Sequence, residues 1–507
     1  MSDDGLYVGF DASTQGLTAV VVEVAAGRFD HVTTRSLGYD DAFPQYGTRH
    51  GVLPSEEPSV ATAPPHMWAD ALERMLGVLT DDIDLSRLRA VSGAAQQHGT
   101  VYLRGPIHPD ASAELTRPVA PIWMDASTTA DCDAITRALG GPEAVARITG
   151  SQAAERFAGP QIRKFARADP DGYASTGRIH LVSSFHASLL IGSDAPVEPG
   201  DAAGMNLMDL RRGAWHAEAL RATAPDLQRR LPGIVPSDTV IGHLSAAWQD
   251  RFGMPPAAVV AWTGDNPSSL IGLGLTVPEP LAISLGTSDT VFRVMESPRV
   301  PATGSHVFGA PMGGFMGLTC FQNGGLARER VRDRYGLGWD GFAALLRATR
   351  PGNEGRLMLP WFEAELTPRT GVLGVQRLQL DPADAAGNVR AVVESQALAM
   401  ARHSAWMGNA SSRVLAAGGA TASPEILQVF ADVFNAEVVV VGSGNAAALG
   451  AALRAWHAYS GKRSWEDVTA GLTDLAVPPV RPDPEAVRIY ADLRDRHRAF
   501  EKRAIRS

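Results

Sequence analysis

Residues 6–24 read LYVGFDASTQGLTAVVVEV. Apolar and β-branched residues fill both ends of this stretch, which predicts strands over residues 6–11 and 17–24. The segment between them, Ser13-Thr14-Gln15-Gly16, is rich in small residues and predicts a tight turn. The chain therefore opens on a β-hairpin that carries Asp11 at its mouth.

A second stretch repeats this arrangement. Residues 281–294 read LAISLGTSDTVFRV, which places two strand-like runs around another small hydroxylic turn. When one stretch is laid on the other, Ser13 falls on Gly286 and Thr14 falls on Thr287. A repeated hairpin with amphipathic stretches in between predicts an α/β chain of two structurally related domains. We place these domains at residues 1–279 and 280–507.

Composition and charge exclude several classes of function. The 507 residues are enough for two large domains. The net charge is -9, and the sequence has no block of like charges that would indicate a nucleic-acid site. The acidic N-terminus does not predict a signal peptide, and no apolar run of about 18 residues predicts a membrane span. Cys132 and Cys320 are too far apart to indicate a disulfide framework. We expect a cytoplasmic protein.

Both turns have the chemistry of a phosphate site. Small residues let backbone amides approach an anion, and hydroxyl groups add short donors. On this basis Ser13, Thr14 and Gln15 in the first turn would cradle phosphate, together with Gly286 and Thr287 in the second. Either turn taken alone would favour an ordinary hairpin connection. The duplication favours the phosphate site.

Three further passages complete the pattern, and they read Gln96-Gln97-His98-Gly99, Thr263-Gly264-Asp265-Asn266-Pro267 and Gly418-Gly419-Ala420-Thr421-Ala422-Ser423. Together with the two hairpins, and in this order, they resemble the FGGY family of carbohydrate kinases. The resemblance implies two ribonuclease-H-like α/β domains of the actin and hexokinase type, flanking a deep cleft. It also implies an ATP-dependent kinase that uses Mg²⁺ and phosphorylates the 5-hydroxyl of D-xylulose.

Two acidic residues are expected to take part in the transfer. The resemblance places the catalytic base at Asp265, where a carboxylate can accept the hydroxyl proton as the phosphoryl group moves. Spacing alone would favour a simpler role for Asp265, an Asx turn to its own backbone. Asp11, just before the first turn, resembles the residue that helps to place Mg²⁺ through water, with capping of its own turn as the alternative.

The sugar contacts implied by the resemblance are His98, Arg156 and Asn266, beside Asp265 itself. A ketose offers a row of hydroxyls and one carbonyl, so its recognition needs side chains that donate and accept several hydrogen bonds. A lone histidine is more often a satisfied core or surface residue, and Arg156 could instead form a surface ion pair with Glu155.

The nucleoside pocket implied by the resemblance contains Gly418, Gly419 and Ser423. Two glycines after a strand let the backbone lie close to a flat adenine. Trp339 is a further candidate for stacking on the base.

Alternative functions remain open at this point. Within the family, ribulose, ribitol or gluconate could replace D-xylulose as the substrate, because one altered contact can redirect specificity. Outside it, an actin-like ATPase would use the same cleft without a sugar. The oligomeric state is not indicated by the sequence, and both a monomer and a homodimer are consistent with it.

Overall fold

A computed structural model describes residues 3–110, 112–299, 304–442, 444–461, 463–472 and 478–506. The chain divides into two compact units. The first comprises residues Met1–Thr276, Val307–Met316 and Gly444–Leu472, and the second comprises Val277–His306, Gly317–Ser443 and Thr473–Ser507. The first unit thus takes in two segments that follow residue 279 in the sequence.

The first unit is built on a seven-stranded sheet. Its strands are β1 (Gly5–Ala12), β2 (Gly16–Ala25), β3 (Arg28–Gly38), β4 (Leu88–Ala95), β5 (Val240–His243), β6 (Ala258–Val260) and β7 (Thr263–Gly264). They lie in the order β5-β6-β4-β1-β2-β3, and β7 pairs with β4 beyond β6. The hairpin β1–β2 is antiparallel, whereas β1, β6 and β7 all run parallel to β4.

A second sheet has six strands and the same central layout, and four of its strands lie wholly in the second unit. Its strands are β8 (Leu281–Leu285), β9 (Asp289–Met295), β10 (Ser305–Gly309), β11 (Phe315–Phe321), β12 (Arg413–Ala417) and β13 (Glu437–Val440), in the order β10-β11-β9-β8-β12-β13. Again an antiparallel hairpin, β8–β9, is followed by a parallel strand beside its first strand, because β12 pairs with β8. The predicted pair of α/β units, each with a hairpin at its centre, is confirmed.

The main helices pack on the sheets or on one another. They are α1 (Pro65–Asp82), α2 (Ala158–Ala168), α3 (Val182–Ile191), α4 (Asp265–Gly272), α5 (Gly325–Arg334), α6 (Trp339–Ala348), α7 (Ala385–His403), α8 (Pro424–Phe434), α9 (Ala446–Ser460) and α10 (Pro484–Arg506). Other helices span Tyr39–Ala42, Thr129–Ala138, Pro142–Thr149, Pro170–Ser175, Pro199–Ala202, Ala217–Thr223, Ala246–Phe252 and Trp465–Thr469. Short strands span Thr62–Ala63, Thr100–Leu103, Ala120–Pro121, Arg178–Leu181, Met208–Asp209, Ala214–Trp215, Leu357–Leu359 and Gln376–Leu378.

Alternate residues of β1 face two different cores. Val8 and Phe10 belong to a core shared with α1 and α3, while Tyr7 belongs to a core shared with α4 and α9. This is the period-two pattern of a central strand. Within the described residues, no helix combines the length and the apolar character needed to cross a membrane.

Helices α4 and α9 touch through glycines. A Cβ on Gly450 would lie 2.0 Å from the carbonyl oxygen of Ser268, and one on Gly272 would lie 2.0 Å from the carbonyl oxygen of Ala446. Larger side chains would force the helices apart. This close crossing fixes α4, whose first residue is Asp265.

Candidate active site

Three parallel strands of the first unit end side by side. Asp11 on β1 is in register with Ala94 on β4, and Ala94 is in register with Thr263 on β7. Because parallel strands leave their carboxyl ends at one edge of a sheet, the residues that follow them gather there. That edge carries Asp11, the segment 96–99 after β4, and Asp265 directly after β7.

The carboxylate of Asp265 is oriented by the next residue. Its Oδ1 accepts hydrogen bonds from the backbone N–H of Asn266 at 2.7 Å and from Asn266 Nδ2 at 2.9 Å. Within the described part of the chain Oδ2 makes no hydrogen bond, so it is the oxygen left to accept a proton. Burial raises the pKa of Asp265 to about 6, against the effect of the two hydrogen bonds.

Asp11 is a second carboxylate with a raised pKa. Burial raises the pKa of Asp11 to about 7, and the charge of Asp265 adds to the effect. Its Oδ1 is enclosed and has no hydrogen-bond partner among the residues that the structure describes. An enclosed, unpartnered carboxylate oxygen fits a cation or a water bound to one. Among the described residues, no group of three or more His, Cys, Asp or Glu side chains is arranged to hold a metal ion.

The first turn is closed by Ser13. Both its backbone N–H and its Oγ donate to the carbonyl oxygen of Gly16, at 3.0 and 2.9 Å. The backbone N–H groups of Thr14 and Gln15 have no hydrogen-bond partner within the described ranges. Trp123 Nε1 donates to Thr14 Oγ1 at 2.8 Å. The turn therefore leaves two amides available to an anion.

His98 is held as a neutral side chain. Its ring stacks on Phe157 with ring centroids 4.3 Å apart, and its Nδ1 lies 2.9 Å from the carbonyl oxygen of Gly204. A carbonyl only accepts, so Nδ1 carries the proton and Nε2 is an acceptor. Burial lowers the pKa of His98 to about 3, with a further contribution from the charge of Arg156. The guanidinium carbon of Arg156 lies 5.8 Å from the centre of the Phe157 ring.

Gln97 links the pair Asp265–Asn266 to the segment that contains His98. Its Oε1 accepts a hydrogen bond from Asn266 Nδ2 at 3.2 Å, and its Nε2 donates to the carbonyl oxygen of Gly200 at 3.3 Å. A Cβ on Gly264 would lie 2.4 Å from the Gln97 Cγ. The sequence pattern indicates no role for Gln97, although this residue directly precedes His98 in the same motif.

In the second turn, residues 286–288, the carbonyls of Gly286 and Thr287 are occupied and the amides are free. The N–H of Gly325 donates to the carbonyl oxygen of Gly286 at 2.9 Å, and that of Leu326 donates to Thr287 at 3.3 Å. The N–H groups of residues 286–288 find no acceptor in the described portion of the chain. Three successive free amides form a concave surface of the kind that binds anions.

Gly418 is in a backbone conformation that favours glycine. Its φ is +98° and a Cβ there would lie 2.6 Å from the carbonyl oxygen of Leu285. Gly419 has no heavy atom within 4 Å of the position of its Cβ among the described residues. The backbone at Gly419 is thus open to a flat ligand.

Ser423 and Trp339 have other contacts. Ser423 Oγ caps α8, accepting from the N–H of Ile426 at 3.4 Å, and it donates to Glu425 at 3.0 Å. The Trp339 side chain begins α6, is 47% exposed, and has the Arg332 guanidinium 4.5 Å from its ring centroid. Both residues belong to the second unit, as do Gly286 and Gly418.

The predicted residues form two sets, each within one unit. Asp11, Ser13, Thr14, Gln15, His98, Arg156, Asp265 and Asn266 belong to the first unit, and Gly286, Thr287, Trp339, Gly418, Gly419 and Ser423 belong to the second. In the first set, electrostatic effects link Asp11 to Asp265 and Arg156 to His98.

Comparison with known proteins extends over nearly the whole chain. The chain is 36% identical to the xylulose kinase of Mus musculus over 526 residues, covering 98% of this chain and 94% of that protein. Its fold is similar to that of a xylulose kinase from Rhodospirillum rubrum (TM-score 0.85, 20% identity, 98% of both chains). A gluconate kinase from Lactobacillus acidophilus is similar to nearly the same degree (TM-score 0.83, 18% identity, 99% and 98% of the chains).

Two family models also match. The N-terminal domain model of the FGGY family of carbohydrate kinases matches residues 6–272, and the C-terminal domain model matches residues 281–459. The chain therefore belongs to the FGGY family of carbohydrate kinases.

Proposed function

We propose that this ATP-dependent sugar kinase transfers the γ-phosphoryl group of ATP to the 5-hydroxyl of D-xylulose. The products would be D-xylulose 5-phosphate and ADP. The observation that carries the proposal is the pair formed by Asp265 and Asn266 beside Gln97, in a chain 36% identical to a xylulose kinase over nearly its full length.

Asp265 acts as the general base in this proposal. Asn266 occupies Oδ1, so Oδ2 accepts the proton of the 5-hydroxyl as its oxygen attacks the γ-phosphorus. The raised pKa, about 6, keeps the group mostly ionised at neutral pH while giving it more basicity than an ordinary aspartate. General-base assistance of this kind contributes about 10²- to 10⁴-fold to the rate.

His98 and Arg156 orient the sugar. The neutral His98 ring accepts a hydrogen bond from a sugar hydroxyl at Nε2, since its Nδ1 proton is engaged by Gly204. Arg156 offers donors to hydroxyl or carbonyl oxygens of the same sugar. Phe157 lies against both side chains and keeps them on one side of the sugar.

The two turns receive the phosphates of the nucleotide. The free amides of Thr14 and Gln15, and those of residues 286–288, donate to phosphate oxygens, with the hydroxyls of Thr14 and Thr287 as further donors. Asp11 would hold Mg²⁺ through water, and Mg²⁺ neutralises phosphate charge when it is bound. Gly418, Gly419, Ser423 and Trp339 would line the nucleoside pocket.

A coupled ATP-consumption assay with a panel of sugars tests this proposal. We expect rapid turnover with D-xylulose and much slower turnover with ribulose, ribitol and gluconate, because an unmatched hydroxyl leaves buried polar groups unpaired. Faster turnover with one of these other compounds would identify it as the substrate instead. ATP consumption that does not depend on any sugar would indicate an actin-like ATPase.

A further inference from the structure

A buried ion pair lies directly behind the second turn. Asp289 is the first residue of β9, and Arg328 lies on α5. The guanidinium grips the carboxylate with two hydrogen bonds, from Nη1 to Oδ2 at 2.7 Å and from Nη2 to Oδ1 at 3.0 Å. Each side chain is only 1% exposed. Such a bidentate pair has a fixed geometry.

A third side chain fixes the guanidinium. Gln396 on α7 accepts a hydrogen bond at Oε1 from Arg328 Nη1 at 2.8 Å. Its Nε2 donates to the carbonyl oxygens of Asn323 at 2.8 Å and Gly324 at 2.9 Å. One amide group therefore holds both the arginine and the segment that leads into α5.

This network contacts the turn itself. Arg328 Nη2 lies 3.5 Å from the carbonyl oxygen of Gly286, to which the N–H of Gly325 also donates. A Cβ on Gly324 would lie 2.5 Å from the backbone nitrogen of Asp289, and one on Gly325 would lie 2.4 Å from the carbonyl oxygen of Gly286. The start of α5 packs against the carbonyl side of the turn. The amide side of the turn therefore faces away from α5.

The charges matter as much as the contacts. A carboxylate one residue after a phosphate-binding turn would repel the nucleotide if its charge were not balanced. A neighbouring cavity of about 20 Å³, lined by Asp289 and Gln396 among others, has room for about one water molecule. A water molecule there is neutral and cannot balance the charge of Asp289 as the guanidinium does. A buried ion pair is also, by itself, weak evidence of a purely stabilising role.

We propose that Asp289, Arg328 and Gln396 are positioning residues for the nucleotide. They hold residues 286–288 with their amides directed at the phosphates, and Arg328 cancels the charge of Asp289 so that the turn attracts anions. This inference rests on the proposed phosphate-binding role of the second turn. None of these three residues touches a substrate in this arrangement, since they act through the backbone of the turn.

The test compares four variants with a matched control. Arg328→Met leaves Asp289 unbalanced, Asp289→Asn leaves a cation, and the double variant Asp289→Asn/Arg328→Met leaves neither; Arg328→Lys keeps the charge without the bidentate grip. The control is Arg402→Met in the same unit. Its guanidinium contacts His403 and Glu501 and does not contact the turn.

Calorimetry with ADP and steady-state kinetics provide the readouts. We expect Arg328→Met to weaken ADP binding and to raise the KM for ATP, each by about 10- to 100-fold. This is the size of effect expected when a buried hydrogen bond to a charged group is lost. The double variant retains neither charge and should lose less ADP affinity than Arg328→Met. Asp289→Asn retains the cation and should lose the least ADP affinity. Arg328→Lys should fall between wild type and Arg328→Met. The KM for D-xylulose should stay within about twofold in all of them.

Several results would overturn the inference. One is wild-type ADP affinity in folded Arg328→Met or, if that variant does not fold, in the double variant. Another is an equal loss of ADP affinity in Arg402→Met, because general destabilisation would then explain both. Failure of the proposed function looks different, because the wild-type protein itself would then prefer another sugar, consume ATP without any sugar, or fail to bind ADP.

Discussion

Asp265 combines two properties that a catalytic base needs. Its Oδ1 is fixed by Asn266, and burial raises its pKa to about 6. The nearest other candidate for a titration in this range is Asp11, with a pKa of about 7, whereas burial of His98 lowers its pKa to about 3. His98 should therefore stay neutral in the pH range in which Asp265 and Asp11 titrate.

A pH profile follows from the pKa of Asp265. A base must be ionised, so a raised pKa means that activity is present above about pH 6 and falls as pH drops through that value. We expect kcat/KM for D-xylulose, measured at saturating Mg·ATP to keep Asp11 ionised, to decline about tenfold per pH unit below 6.

Far-UV circular dichroism at each pH serves as the control that the protein remains folded. A profile that stays flat down to pH 4.5 would show that no group with this raised pKa controls the reaction.

At the residue scale, contacts between chain neighbours are easier to predict from the sequence than contacts between distant residues. Asp265 and Asn266 are neighbours in the chain, so their pairing needs no knowledge of the fold. The bond from Asn266 to Gln97 joins residues 169 positions apart, and the grip of Arg328 on Asp289 depends on how α5 crosses the hairpin. Such contacts are consequences of topology and leave no local signal.

At the scale of elements, the hairpins were predictable and the surroundings of the loops were not. Strand alternation and small turn residues located β1–β2 and β8–β9 because both signals are local. Ser423 looked like a nucleoside contact, but the structure also makes it the N-cap of α8. Its side chain serves the helix whatever else it binds.

The neighbouring residues Gly418 and Gly419 should respond differently to substitution. Gly418 has φ +98° and ψ 172° and lies against the end of β8, so Gly418→Ala should lower the free energy of unfolding by about 1–3 kcal/mol. Gly419→Ala meets no described atom within 4 Å and should keep the wild-type melting temperature.

Thermal melts and ADP calorimetry on both variants check this. If Gly419 lines the nucleoside pocket, its alanine variant should bind ADP more weakly while remaining as stable as wild type. A wild-type melting temperature for Gly418→Ala would show that the loop tolerates a side chain there. Unchanged ADP affinity in Gly419→Ala would remove this residue from the pocket.

At the scale of the whole molecule, the division into two units does not follow the order of the sequence. Helix α9 lies in the second half of the sequence, yet it packs on β1 and α4 of the first unit. Its residues Ala448, Ala452, Leu453 and Trp456 fill the core that Tyr7 faces. An amphipathic pattern predicts that such a helix exists but does not say which sheet it covers.

This arrangement predicts the behaviour of a fragment. Residues 1–279 alone would expose the face of β1 that α9 covers, and burial of each large apolar side chain is worth about 1.5–3 kcal/mol. We expect this fragment to lack a cooperative thermal transition, and residues 1–279 joined by a flexible linker to residues 444–472 to regain one. A cooperative transition in the shorter fragment would contradict the role of α9.

If Asp265 takes the proton from a sugar hydroxyl, Asp265→Asn should isolate that role, because it keeps the shape of the side chain and removes its basicity. The decisive measurement is kcat for D-xylulose phosphorylation, with sugar affinity recorded by calorimetry. We expect sugar binding close to wild type and a loss of about 10²- to 10⁴-fold in kcat. A variant that binds D-xylulose and phosphorylates it at nearly the wild-type rate would show that Asp265 is not the base.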